Sequence, residues 1–210
     1  MPRPPNTEER RAQITAGLIE VMARQGYDGA SVNQIAKAAG LTPGLVHYHF
    51  KTKLEILLAA LEHLVEEHRA RLEAYLAGIG TDPPTQVSGF IEFHLGMGRT
   101  ADSDALRCWI LLSGEALRRT EVQQPYARAI ENLVERLRNI VEKGIREHTF
   151  RCKSSTVAAS AIVTTIQGYF VLGATAQGSI PTGSAASATL EMAEGVLHPK
   201  LPLPLSEVPR

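Results

Sequence analysis

Along most of the chain, apolar residues recur every three to four positions, the period of helices packed by one face. No stretch alternates apolar and polar residues long enough to argue for a strand, so the pattern predicts an all-α protein. A first helix is expected from Thr7 as N-cap, with Glu8 and Glu9 placed to favour the positive end of the helix dipole. Its inward face is Ile14, Leu18, Val21 and Met22, and Gly26 is its expected end. Ser31 and Gln34 have the spacing of a capping box and open a short second helix, with Val32, Ile35, Ala36 and Ala39 inward and Gly40 closing it. Thr42 followed by Pro43 starts a third helix, because proline at the first helical position gives up no needed N–H. That helix has to end near Phe50, since Thr52 and Glu55 repeat the capping-box spacing. The fourth helix is long and turns Leu54, Leu57, Leu58, Leu61, Leu64, Val65, Leu72 and Leu76 inward.

GIGTDPP, residues 78–84, is the first clear break. Helical spacing resumes at Val87, Phe90, Ile91, His94 and Leu95, then pauses at GRTADSD. Asp104 is the expected cap of a helix whose centre, CWILL, is apolar nearly all round and so expected to be buried. Pro125 is read as opening an amphipathic helix with Tyr126, Ile130, Leu133, Val134, Leu137, Ile140, Val141 and Ile145 on one face. Glu135 with Arg138 and Glu142 with Arg146 are expected pairs on the other. Two helices poor in charge follow, near 155–178 and 184–197, and a Pro-rich tail closes the sequence. The expected domains are 1–53, 54–198, and an extended or disordered tail over 199–210.

The 22 basic and 22 acidic residues cancel, so any affinity for nucleic acid has to rest on local charge. Residues 31–53 supply it: they hold no Asp or Glu, yet include Lys37, Lys51 and Lys53. Two short helices joined by a Gly-containing turn make a helix-turn-helix, the arrangement that lays its second helix in the DNA major groove. Docking on phosphates penalises carboxylates and favours lysines, hydroxyls and helix N-termini, such as those at Ser31, Thr42 and Thr52. Thr42, Pro43 and Gly44 let a backbone approach base edges closely, and His47, Tyr48 and His49 add donors further along. Ser31, Gln34, Lys37, Thr42, Pro43, Gly44, His47, Tyr48, His49 and Lys53 are therefore the candidate DNA contacts. His47 and His49 stand two residues apart on a helix and point in different directions, so no metal site is expected there.

The run GYDGASVNQIAKAAGLTPGLVHYHFKTKLEILLAALE resembles the N-terminal domain of the tetracycline-repressor (TetR) family of transcriptional regulators. The resemblance covers about residues 8–60: a capped second helix, IAKAAG, a short recognition helix, HYHF, and a lysine opening helix four. It implies a homodimer on a palindromic operator, repression, and release when a small molecule enters the C-terminal domain. It also implies phosphate contacts for Ser31, Tyr48 and Lys53, and base reading for Thr42, Pro43 and Gly44. Many members place a tyrosine where this chain has His47, so His47 and Tyr48 both stand as the phosphate-contacting residue.

The pair of helices poor in charge offers more small and apolar surface than one partner helix covers, and the expected dimer seam is drawn there. Its residues are Ala158, Ala161, Ile162, Thr165, Ile166, Tyr169, Gly173, Ala185, Ala188, Met192 and Val196. The first of the pair is long enough to cross a bilayer, but Ser, Thr, Gln and Gly dilute it; a helix buried in protein on most sides is the expectation. Candidate effector-pocket residues are Phe90, Phe93, His94, Met97, Trp109, Leu112, Glu115, Gln167, Tyr169 and Phe170, each of which is also a plausible core residue.

Cys108 and Cys152 form no CxxC and no ligand cluster, which points to no disulfide framework and to a cytoplasmic protein. No apolar signal segment follows Met1. His63 and His68, in HLVEEH, lack the i,i+4 spacing of a zinc-protease helix and read as a solvated face of helix four. No nucleophile elbow or phosphate loop is present, so neither an enzyme nor a cofactor is expected. The alternative to a regulator is a helical binding or scaffolding protein that keeps a degenerate DNA-binding domain.

Overall fold

The order of helices follows the apolar periodicity closely. The structure is a computed structural model that describes residues 6–96, 103–176 and 178–204. Among the described residues there are nine helices and no strand: α1 (Asn6–Gly29), α2 (Val32–Ala38), α3 (Pro43–His49), α4 (Lys53–Gly78), α5 (Pro83–Leu95), α6 (Ser103–Arg118), α7 (Thr120–Arg146), α8 (Ser155–Thr175) and α9 (Ala185–Leu197). They form two compact units, residues 1–67 with 102–127, and residues 68–101 with 128–210. This differs from the expected division at residue 53. Cys108, Leu112, Ala116 and Val122 share one core with Ile14, Leu18, Ile35, Val46, Phe50 and Leu57, so α6 completes the unit built on the first three helices.

Within the first unit, α1 and α2 approach closely at Gly17, where an added Cβ would lie 2.8 Å from the Ile35 carbonyl oxygen and 3.2 Å from Ala39 Cβ. The first helix breaks at Gly26, its expected end, where the backbone kinks with a φ of 76°, and a further helical turn, counted within α1, runs on to Gly29. Helix α1 begins at Asn6, which places Thr7 inside the helix instead of at its cap. Helices α2 and α3 end and start as the sequence predicts, with Ser31 and Thr42 as N-caps. Thr52 caps α4 through the Glu55 N–H, while the Glu55 carboxylate accepts from the Lys51 N–H.

The second unit packs Leu72, Leu76, Phe90, Ile91, Leu137, Val141, Ile162, Val163 and Leu197 into its own core. Asp82, read only as part of a break, is the N-cap of α5. Asp104 lies in the first turn of α6, and Pro125 lies inside α7 instead of opening it. Of CWILL only Cys108 and Leu112 are buried; Trp109, Ile110 and Leu111 are half-buried, because α6 covers its unit with one face. Arg138 takes both Glu135 and Glu142, at 3.2 and 3.4 Å, so Glu142 pairs one turn back and not with Arg146. After α7 the chain folds back until the buried Phe150 ring lies where a Gly144 side chain would stand. The tail is tied down as far as Leu203: Lys200 N–H donates to the Thr149 carbonyl, Leu203 N–H donates to Glu194, and Leu203 is buried. Residues 205–210 of the expected disordered tail, and Met97, lie outside the described residues.

Candidate nucleic-acid interface

Helix α3 is only seven residues long and is held by one deep anchor, Val46, with Phe50 buried immediately after it. Burying those two side chains leaves the rest of the helix pointing outward: Thr42, Pro43, Gly44, His47 and Tyr48 are exposed, Tyr48 by 74%. Leu45 and His49 are half-buried. A Cβ added at Gly44 would meet nothing within 4 Å, so internal packing places no demand for glycine there. The Thr42 hydroxyl oxygen accepts from the Leu45 N–H at 3.4 Å, a long bond that leaves it available to a second partner. Tyr48 and His49 stack edge to face, with ring centroids 5.1 Å apart, at the far end of the same helix.

Two candidate contacts are spent on structure. Ser31 Oγ accepts from the Gln34 N–H at 3.2 Å and donates to Gln34 Oε1 at 2.8 Å. The Gln34 amide accepts from the Ser31 N–H and donates to Gln25 Oε1. Both residues remain exposed, as does Lys37. Lys53 is half-buried: its Nζ donates to the carbonyls of Tyr27 and Ala30, at 2.9 and 3.0 Å, and lies 4.3 Å from the centre of the Tyr27 ring. An ammonium has three N–H groups, so one remains after these bonds. Its first task is to tie the end of α1 to the start of α4.

Two contributions escape a one-dimensional reading. Arg11 donates from Nη1 to the His49 carbonyl at 2.7 Å and places its guanidinium 4.0 Å over the Phe50 ring. The other is a cluster in the same unit: Glu115, buried, holds Arg118 and Arg119, and both arginines reach Asp28 at the end of α1. Arg119 also lies 5.3 Å from the Tyr27 ring centre. Glu115 meets both arginines at helical spacing, but no spacing relates Arg118 to Asp28, 90 positions away, or Arg11 to His49, 38 away.

The expected effector-pocket residues do not converge. Trp109, Leu112 and Glu115 belong to the first unit, where Trp109 stacks on Tyr126 at 4.6 Å and Glu115 is ion-paired. Phe90, Phe93, His94 and Phe170 do assemble in the second unit, with His94 4.6 Å from Phe90 and 6.3 Å from Phe170. Gln167 and Tyr169 are half-buried on the same helix as Phe170. A residue read as solvated joins them: His68 Nε2 lies 3.1 Å from His94 Nε2. The signal was available, since His68 continues the apolar row Leu61, Leu64, Leu72. His94 Nδ1 lies 2.6 Å from the Phe90 carbonyl and has to donate to it, so His94 Nε2 is an acceptor and His68 Nε2 the donor. Burial first, and the neighbouring cation second, lower both imidazole pKa values, to about 4 for His68 beside Arg71 and to about 3 for His94 beside His68. Both rings are neutral at pH 7. A groove of about 330 Å³ in this unit lies elsewhere, between Glu73, Gln86, Arg136, Asn139 and Lys143, and is lined by none of the expected pocket residues.

The expected dimer seam divides in two. Ala158, Ile162 and Ile166 are buried within the chain's own core and are not available to a partner; Thr165 donates to the Ala161 carbonyl and contacts Met192 Sδ. Gly173 and Ala188 are exposed, and Ala161, Tyr169, Ala185, Met192 and Val196 half-buried. Helix α8 is not buried on most sides: within its most apolar 18 residues only 28% is buried, and Val157, Val171 and Leu172 are 66%, 42% and 48% exposed.

Residues 14–60 match the family described as bacterial regulatory proteins, tetR family. The chain is 46% identical over 54 residues to the HTH-type transcriptional regulator SrpR of Pseudomonas putida, a match that spans 26% of this chain and a quarter of SrpR. It is 23% identical over 184 residues to the HTH-type transcriptional regulator BetI of Brucella suis, covering 87% of this chain and 88% of BetI. Its fold is similar to that of the transcriptional regulator FadR of Bacillus subtilis in complex with stearoyl-CoA, with a TM-score of 0.73 at 21% identity over 89% of this chain and 99% of FadR. The capped helix-turn-helix of the first unit is thus the part of the chain, residues 14–60, that matches the tetR family of bacterial regulatory proteins.

Proposed function

We propose that the chain is a transcriptional repressor that binds a palindromic DNA operator as a homodimer and leaves it when a small molecule enters the second unit. The observation that carries the reading is the outer face of α3. Thr42, Pro43, Gly44, His47 and Tyr48 are exposed together within a stretch free of carboxylates, and Gly44 keeps a side chain away from open space. In this reading the small first turn of α3 meets base edges in the major groove, Tyr48 and Lys37 face phosphates, and Ser31 contributes its helix N-terminus more than its hydroxyl. Lys53 acts on phosphate with its one remaining N–H.

The dimer forms on the outer side of α8, where Val157, Ala161, Thr164, Gly168, Val171 and Leu172 follow one another at helical spacing on its less buried side. Small residues among exposed aliphatics suit a close isologous helix pair, and a homodimer carries two copies of α3, one for each of two successive major grooves about 34 Å apart. The effector enters the second unit beside the neutral His68–His94 pair and the aromatic rings around it. These imidazoles offer hydrogen bonds without charge, and FadR, a protein of similar fold, is in complex with stearoyl-CoA, a ligand with a long apolar acyl chain.

The test is selection of operators from random duplexes, repeated with Thr42→Ala. The reading expects a palindromic consensus for the wild type and a changed preference at one position of each half-site for the variant. Equal binding to all duplexes, with no consensus, removes the repressor reading and leaves a helical binding protein with a degenerate DNA domain.

A further inference from the structure

We propose that Arg11, on α1 and outside the carboxylate-free stretch, is a DNA-phosphate contact that the fold carries to the end of the recognition helix. The inference rests on the DNA-binding reading above. Arg11 is exposed, yet its guanidinium is fixed twice: Nη1 donates to the His49 carbonyl at 2.7 Å, and the plane lies 4.0 Å over the ring of Phe50. His49 is the last residue of α3 and Phe50 its buried C-cap, so a positive charge is set where the helix leaves its partial negative charge.

That arrangement exceeds what capping requires. The carbonyl takes one of the five N–H donors, and a phenyl ring takes none, so the planar fork keeps donors for an anion. Arg24 and Arg136, by contrast, are paired with the carboxylates of Glu20 and Glu73. Among the described residues no carboxylate pairs with Arg11. Glu55, at the α3–α4 turn, is committed to the Lys51 N–H. Exposed Tyr48 and Lys51 flank the same helix end, so Arg11 completes a cationic and hydroxylic rim of the kind that takes a phosphate oxygen. Stacking on Phe50 also lowers the conformational entropy lost when that oxygen arrives.

The competing role is purely structural, an arginine that only holds α3 in place. Arg11→Gln separates the two, since a glutamine amide still offers a donor to the His49 carbonyl but carries no charge. The full chain and this variant would be titrated by fluorescence anisotropy with the selected operator and with a scrambled duplex, over a series of salt concentrations. A phosphate contact predicts weaker binding to both duplexes by the same factor, and a slope of log K against log salt that is shallower by about one per protomer. Arg11→Lys should restore the slope. A variant with lowered Tm but an unchanged slope assigns Arg11 to capping alone and overturns the proposal. Wild-type protein that ignores every duplex overturns the regulator reading, and this one with it.

Discussion

Gly17→Ala puts the packing of the first unit to a quantitative test. Gly17 is buried in the middle of α1, and a Cβ there would stand 2.8 Å from the Ile35 carbonyl oxygen, 3.0 Å from Ala39 N and 3.2 Å from Ala39 Cβ. Carbon–oxygen contacts settle at about 3.3 to 3.6 Å, so α2 has to retreat by about half an ångström. Two of the three neighbours are backbone atoms, joined by the Ala39 N–H to Ile35 carbonyl bond at 2.9 Å, and no rotamer change relieves them. Two effects oppose each other. Alanine in a helix interior is favoured over glycine by about 1 kcal/mol, and overpacking a close contact costs about 1 to 3 kcal/mol. The contact wins, for a net loss of about 1 kcal/mol. Gly44→Ala is the matching control: with no neighbour within 4 Å it feels only helix preference and is neutral or stabilising by up to about 1 kcal/mol. Urea unfolding followed by tryptophan fluorescence reads this directly, because the single tryptophan, Trp109, lies in the same unit. Gly17→Ala should move the midpoint down and Gly44→Ala should not; Gly17→Ala should also weaken operator binding from a position that touches no DNA. A midpoint raised equally by both substitutions would show that α1 and α2 do not meet at Gly17.

Leu172→Asp should convert a dimer to monomers in sedimentation velocity with little change in Tm, whereas Ile166→Asp, in the core, should unfold the second unit; a dimer that survives Leu172→Asp moves the seam elsewhere. The histidine pair makes stability sensitive to acid. Both folded pKa values lie below the ordinary 6.5, so the stabilisation is complete above pH 6.5 and falls as pH drops towards 4, by up to about 1.4 kcal/mol per pH unit for each ring. Thermal melts at pH 7 and pH 5 should therefore diverge less for a His68→Gln, His94→Gln double variant than for the wild type, and equal divergence removes the pair as the cause. Lys53→Ala should lower the stability of the first unit by about 1 to 3 kcal/mol in chemical denaturation, because two carbonyls lose a charged donor and Tyr27 loses its cation.

The positions legible in sequence were those whose cause is local. Ser31–Gln34, Thr42–Pro43 and Thr52–Glu55 set helix starts because their side chains reach backbone groups three residues away, and each start lies where the spacing placed it. Val46 and Phe50 are buried, and the face opposite them is exposed, because a short helix anchored on one side has only one outward face. The periodicity of α8 told that it is apolar all round. Which of its faces meets the chain's own core depends on α5 and α9, and that choice removed Ala158, Ile162 and Ile166 from the expected seam. Three of the pocket candidates part from the others for the same reason. Trp109, Leu112 and Glu115 look like Phe90 and His94 in sequence, but they belong to a helix that packs on α1.

From the sequence alone came the helix order, the helix-turn-helix and its carboxylate-free face, since capping, period and charge all act within a few residues. Tertiary structure decided the assignments that need two distant segments to meet. It put Lys53 on the carbonyls of Tyr27 and Ala30, Arg11 against His49 and Phe50, and His68 against His94. A side chain's donors go to whatever partner the fold brings within about 3 Å, and residue spacing along the chain carries no record of that encounter.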